Sequence, residues 1–353
     1  MPDWTKSMER TYEYYIVDPG TWKDVRKVSG ILTSTVNRDA SVETLGSATF
    51  DIEESIGEAY VRIYLIIIQN GIRERFALGT FLVQTPSSSF DGRIKKTTLD
   101  AYTPLIELKE NQPPIGYYIP KGENIMDTAQ RIIREKARAP VVPTTSVTNV
   151  FSDFVADTDD TWLSYTSDLI LNAKYILDLD ENGRILFAPK QDMAAMQPVW
   201  TYNDDNSSIL YPEITVDNDL YNIPNIVEVI YSNNGVYYYS KVVNDDETSP
   251  TSIQSRGREI CHRVVNPEMM GYITEDRVEE YAKQLLRELS SVMYTVTYTH
   301  GYCPVRLGDC VRLNYTRAGI TNVKAKVISQ SIECTAACPV TETAIFTNKL
   351  WKG

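Results

Sequence analysis

The chain has 353 residues, 42% apolar and 23% charged, with 35 Lys+Arg against 47 Asp+Glu and a formal net charge of −12. That length suits two or three domains, and the composition excludes a wholly disordered or collagen-like chain. The acidic balance argues against a free-standing nucleic-acid binder, which carries a basic footprint.

The opening MPDWTKSMERTYEYY has no basic stretch leading into an apolar one, so it does not read as a signal peptide, and a cytoplasmic origin is expected. Tyr12, Tyr14 and Ile16 alternate with Thr11, Glu13 and Tyr15, a strand ended by Asp18-Pro19-Gly20. Val25–Val36 is β-prone, broken at Ser29-Gly30. Ala48–Ile52 alternates. Tyr60–Ile68 is the most apolar stretch; at nine residues, with Arg62 inside, it is too short to span a membrane and predicts a buried strand. Asn70-Gly71 and Asp91-Gly92 then signal hairpins. Six or more close-set strands make residues 1–104 a small barrel or sandwich.

The texture changes after Tyr102. A proline-rich connector, 113–122, precedes a helix over 124–138, where Ile125, Ala129, Ile132 and Ile133 share a face. A second helix over 159–173 carries the stripe Trp162, Tyr165, Leu169 and Ala173. The strands YILDLD and RILFAP flank the turn Asp180-Glu181-Asn182-Gly183. NIVEVIYSNNGVYYYSKVV reads as a hairpin about Asn233-Asn234-Gly235. Tyr237, Tyr238 and Tyr239 alternate faces there and make no single stacking platform. Residues 244–258 read as an exposed loop. A third helix over 275–290 is capped by Thr274, with Val278, Ala282, Leu285 and Leu289 on its apolar side. The close is β again: 292–299, DCVRLNY, VKAKVISQSIEC and TETAIFT. The 23 Tyr against 8 Phe suit such half-buried strands, and also tyrosine-rich interfaces.

Few residues invite chemistry. Asp178-Leu179-Asp180-Glu181-Asn182-Gly183 matches half of a calcium loop, but position twelve is Pro189 where a bidentate Glu belongs, and a tight turn wants the same residues. Cys334 and Cys338 lie four apart, yet Cys303, Cys310, His262 and His300 supply no matching pair for zinc. The odd cysteine count, with Cys261, suits reduced thiols. No nucleophile-elbow, zincin or phosphate-loop motif occurs. Acidic pairs (Glu53-Glu54, Asp159-Asp160, Asp245-Asp246) and short basic runs (Lys95-Lys96, Arg256-Gly257-Arg258) read as solvated faces. No catalytic, cofactor-binding or metal-binding residue is therefore assigned, no cofactor is expected, and the chain is expected not to be an enzyme.

Three passages carry a family likeness: TTLDAYTPLIELK at 97–109; DTDDTWLSYTSDLILNAKYILDLDENGRILFAP at 157–189; and the helix at 275–290 followed by YTVTYTHGYCPVRLGDCVRLNY and VKAKVISQSIEC, with Pro304…Gly308-Asp309-Cys310-Val311 at a strand start. In this order they resemble the baseplate hub, or tail hub, proteins of tailed phages, with the late-control D-like and prophage tail proteins. The resemblance implies a mainly β fold with α+β insertions. Two tail-tube-like antiparallel β-barrels are expected, the first at 1–104 and the second split between 196–245 and 291–353. An α/β domain would occupy 105–195 and 246–290. It also implies a structural protein of the virion tail or baseplate, assembled in the host cytoplasm: a homotrimer whose six barrels form a pseudo-sixfold ring joining the hexameric tail tube to the trimeric central spike or tip. Its expected partners are the tail tube or distal tail protein, the spike or tip protein, the tape measure protein and the baseplate wedge proteins. DNA would pass through its lumen without specific binding, and no membrane segment is expected. The lytic or peptidase domain often appended to such hubs is not expected after Gly353. A contractile bacteriocin or secretion particle would use the same part. The alternatives are a receptor- or carbohydrate-binding tail protein presenting an aromatic groove, or a tail-associated cell-wall hydrolase with paired carboxylates.

Overall fold

The computed structural model describes residues 2–350 except 54–55, 91, 93–94, 192, 194, 206–207, 219, 221, 234 and 268–272. The fold is mainly β, with antiparallel sheets and short helices. It divides into two units, Met1–Ile214 with Tyr298–Ala344, and Thr215–Thr297 with Ile345–Gly353.

The first unit opens with seven strands: β1 (Glu9–Val17), β2 (Asp24–Val28), β3 (Ile31–Asp39), β4 (Gly46–Ile52), β5 (Ala59–Gln69), β6 (Ile72–Phe90) and β7 (Lys95–Tyr102). They pair in the order β3-β4-β7-β6-β5-β1-β2, all antiparallel. The expected Asp18 turn links β1 to β2, its carboxylate accepting from the Gly20 amide and the Thr21 hydroxyl. The Asn70-Gly71 hairpin also forms, with φ of 53° and 77°, the left-handed pair a two-residue turn needs. The Asp91 turn lies outside the described residues. Strand β5 is buried along most of its length, including Ile63, Leu65, Ile66 and Ile67. A sheet covered on both faces explains its unbroken apolar run. Arg62 is buried within it because Asp24 sits 2.9 Å away.

The α/β part comprises α1 (Ile106–Lys109), β8 (Tyr118–Ile119), α2 (Ile125–Lys136), β9 (Phe154–Val155), α3 (Trp162–Leu171), β10 (Tyr175–Leu179) and β11 (Ile185–Pro189). Its core joins the predicted faces of both long helices, Ile125, Ala129, Ile132 and Ile133 with Trp162, Tyr165 and Leu169, to Leu177, Ile185 and Phe187 of the β10–β11 hairpin. Asn124 caps α2 through the Met126 and Asp127 amides. The start of α3 is capped by Thr161 and Ser164 reciprocally.

After β12 (Trp200–Asn203) and β13 (Leu210–Asn218), the second unit holds β14 (Ile226–Asn233), β15 (Val236–Val243), α4 (Ile253–Arg256), β16 (Cys261–Val265) and α5 (Glu275–Leu289). Strand β16 runs parallel to β14, and α5 lays Val278, Ala282 and Leu286 on Val227, Val229 and Val242. Tyr238 faces this core while Tyr237 and Tyr239 are exposed, as the alternation requires; Asn234 of the turn lies outside the described residues. The 244–258 segment differs from the expected exposed loop. Asn244, Ser249, Thr251 and Ser252 are buried, because the Asn244 amide donates to Ser249 and Thr251, and the short polar groups satisfy one another.

The chain closes with β17 (Ser291–Gly301), β18 (Cys310–Tyr315), β19 (Ile320–Glu333) and β20 (Pro339–Lys349). The division between units falls within β13, β17 and β20. In the first unit β18 pairs β19 antiparallel and β12 parallel. Strand β19 also pairs β3, from Ser329↔Asp39 to Glu333↔Thr35. Opening and closing segments thus share one sheet, whose pairing order is an open path among the described residues.

Candidate functional site

The most elaborate polar arrangement of the first unit surrounds the β10–β11 turn. Strands β10 and β11 pair from Tyr175↔Pro189 to Leu179↔Ile185, leaving Asp180-Glu181-Asn182-Gly183 at the tip. Asp180 accepts from the Arg184 amide and guanidinium, which fixes the turn internally. The half-motif for calcium is thus a hairpin, the other reading the sequence allowed.

Groups distant in sequence receive this tip. Trp22 Nε1 donates to Asn182 O at 2.7 Å, and Arg62 Nη2 to the same oxygen at 3.0 Å. Arg306 donates to Glu181 Oε1 at 2.7 Å and to Leu179 O at 2.8 Å. Arg38 Nη2 stands 3.8 Å from Glu181 Oε1. Gly183 has φ +73°, and a Cβ there would sit 2.7 Å from Thr80 Cβ and 3.2 Å from the Trp22 ring. The tip is therefore seated against backbone-matched walls, and only glycine fits its last position. Burial pushes the nearby Asp178 and Asp309 carboxyls above their ordinary range.

A second polar cluster continues from the first. Arg38 Nη1 donates to Gln330 Oε1 at 3.0 Å, and Gln330 Nε2 donates to Glu342 Oε1 at 2.6 Å. Glu342 Oε2 accepts from Tyr298 at 2.8 Å and Tyr202 at 3.2 Å. His300 Nε2 lies 3.3 Å from Glu342 Oε1, while its Nδ1 donates to Gly301 O at 2.7 Å. Both ring nitrogens face acceptors, the environment of an imidazolium. Burial opposes its charge, but the Glu342 carboxylate outweighs that and pushes the His300 pKa up to about 10. Burial alone would raise Glu342; His300 and the surrounding donors hold it below its ordinary value.

Cys303 Sγ comes within 4.0 Å of His300 Nδ1. Cysteine, histidine and glutamate stand together here, but all three are buried, His300 and Glu342 completely. All five cysteines are free, and among the described residues no group of three or more His, Cys, Asp or Glu side chains is placed to hold a metal ion. No described helix is long and apolar enough to cross a membrane. Sequence reasoning singled out the 180–183 turn and His300 but missed Trp22, Arg38, Arg62, Arg306, Gln330 and Glu342. Their partners lie up to about 300 residues away, and no local pattern announces them.

No family model and no curated protein matches this sequence. Solved structures do match. A tail protein from Neisseria meningitidis aligns over 95% of this chain and 96% of its own, at 11% identity and a TM-score of 0.59. The 43 kDa tail protein of prophage MuSo2 from Shewanella oneidensis aligns over 96% and 98%, at 12% identity and the same TM-score. The fold is that of phage tail proteins. The tail-protein fold extends to a chain of the Francisella PdpA-VgrG complex, aligned over 96% of this chain and 53% of that one, at 10% identity and a TM-score of 0.54. The likeness read from the three sequence passages therefore holds at the level of fold. It spans nearly the whole chain.

Proposed function

We propose that this protein is the structural hub of a phage tail or phage-like contractile particle. The supporting observation is the end-to-end fold likeness to two tail proteins of similar extent. In this reading three chains form a ring of six tube-like barrels, two per chain: residues 1–104, and 196–245 with 291–353. Residues 105–195 and 246–290 supply the α/β part. Strand β6 favours a curled first barrel, because its first half pairs β5 and its second half pairs β7, with a register shift in each ladder. The ring joins the hexameric tube to the trimeric spike or tip, contacts the tape measure and wedge proteins, and assembles in the host cytoplasm before joining the virion tail.

Three chains of −12 give the ring −36. An acidic lumen would let DNA slide, since adhesion needs Lys and Arg at the phosphates. The hub needs joints rather than a catalytic centre, and the seated 180–183 turn is such a joint. Among the described residues the tryptophans give the carbohydrate-binding alternative no exposed platform: Trp4 and Trp162 are buried, and Trp22 and Trp200 half-buried. The test is mass photometry of the purified 40.1 kDa chain with negative-stain averaging. A ring-shaped trimer of three such masses is expected. A strict monomer that binds glycans would refute the reading.

A further inference from the structure

An asparagine that precedes glycine can close on its own main chain. The glycine nitrogen gives its proton to base and attacks the asparagine side-chain carbonyl carbon. A C–N bond forms, ammonia leaves and a succinimide ring results. Water then opens the ring, to aspartate or to isoaspartate, whose main chain runs through the former side chain and is one methylene longer. Glycine favours the attack because no Cβ obstructs its nitrogen, and asparagine is a thermolabile residue.

The sequence carries this step at Asn70-Gly71, Asn182-Gly183 and Asn234-Gly235; Asn234 lies outside the described residues. Asn70 and Asn182 are both exposed, and Gly71 and Gly183 both have positive φ, 77° and 73°. Their surroundings differ. A Cβ at Gly71 would meet nothing within 4 Å, and among the described residues no main-chain hydrogen bond holds the Gly71 amide. A Cβ at Gly183 would stand 2.7 Å from Thr80 Cβ, 3.2 Å from the Trp22 ring and 3.3 Å from Pro104. The Gly183 amide donates to Asp180 O at 2.9 Å, and Asn182 O is held by Trp22 and Arg62. There the attacking nitrogen is bonded, and the peptide plane that must turn toward the Asn182 side chain is pinned at both edges.

We propose that Asn70 is a deamidation site of the folded chain, and that the seat keeps Asn182 unreactive until the turn leaves it. The consequences differ. At Asn70 the new charge and the extra methylene fall on an exposed hairpin tip, where change is tolerated. Isoaspartate at 182 displaces the carbonyl that Trp22 and Arg62 hold, so the turn cannot reseat.

The test is peptide mapping by mass spectrometry of the full chain aged at mildly alkaline pH, folded and, in parallel, in urea. The ratio of the urea rate to the native rate measures protection at each site. It should be close to one at Asn70 and at least about tenfold at Asn182, because reaction through an opened state tracks how rarely the turn opens. Trp22→Phe removes the indole donor to Asn182 O; it should speed Asn182 and leave Asn70 unchanged. Equal protection at the two sites in wild type overturns the proposal, whether both age freely or neither does. So does a folded Trp22→Phe chain in which Asn182 ages no faster than in wild type.

Discussion

Raising the pH from about 6.5 to 8.5 should destabilise the protein through one group, His300. Its folded pKa is pushed up to about 10, whereas an unfolded histidine releases its proton near about 6.5. Above that pH the unfolded chain binds one proton fewer than the folded chain. Stability therefore falls with pH, approaching about 1.4 kcal/mol per unit once the unfolded histidine is neutral and losing about 2.3 kcal/mol over the interval. Burial also raises the Cys261, Cys310, Cys334 and Cys338 thiols; their loss sets in as unfolded thiols ionise, near about 8.5, and is common to wild type and variant. Removing His300 alone would be a poor control. Glu342 would remain buried without its cation, take up a proton and reproduce the same slope. His300→Gln/Glu342→Gln removes both groups and keeps hydrogen-bonding side chains. Calorimetric melting at pH 6.5, 7.5 and 8.5, at fixed ionic strength, should show a transition that falls throughout in wild type but stays flat from 6.5 to 7.5 in the double variant, where only the buried thiols act near 8.5. Equal slopes in the two proteins, or none in wild type, would mean that the buried imidazole is neutral and the ion-pair reasoning wrong.

The turn supplies two further predictions. Gly183→Ala forces a Cβ to 2.7 Å from Thr80 Cβ at a φ of +73°. It should cost roughly 1–3 kcal/mol and speed amide exchange across 175–189; an unchanged melting temperature would mean that the tip is not seated. Arg306→Ala strips the hydrogen bonds to Glu181 and Leu179. Because Arg306 is partly exposed, about 1 kcal/mol is expected. The difference from wild type should shrink as salt rises, and one that grows with salt would contradict an electrostatic contact.

The sequence made local structure legible wherever one element carries its own signal. Helix α2 announced itself through Ile125, Ala129, Ile132 and Ile133, α5 through Thr274 and its stripe, and β5 through length and apolarity. Strand β16 was missed because Cys261–Val265 is mostly exposed and shows no alternation. The 244–258 loop was misread because composition cannot tell solvated polar residues from ones that satisfy each other in a packed loop. Pairing of β19 with β3 was invisible for a different reason: partners some 290 residues apart leave no periodic trace. His300 and Glu342 share that difficulty, since each looks like an ordinary strand residue until the ladders bring them together.

The joint depends little on the identity of the turn residues. Most of the bonds that seat the 180–183 turn end on main-chain oxygens: Asn182 O takes Trp22 and Arg62, and Leu179 O takes Arg306. Glu181 is the one turn side chain bonded to a distant guanidinium. A socket that reads carbonyls constrains the path of the turn and leaves its residues free to drift, apart from a glycine where φ is positive. The exception is informative. Glu181 faces Arg38, which reaches Gln330, which reaches Glu342. Seating the turn and neutralising the buried pair are therefore steps of one network that crosses from the α/β part into the closing strands. Loss of Gln330 should disturb both ends, because its amide is the only described link between Arg38 and Glu342 and serves each through a different atom.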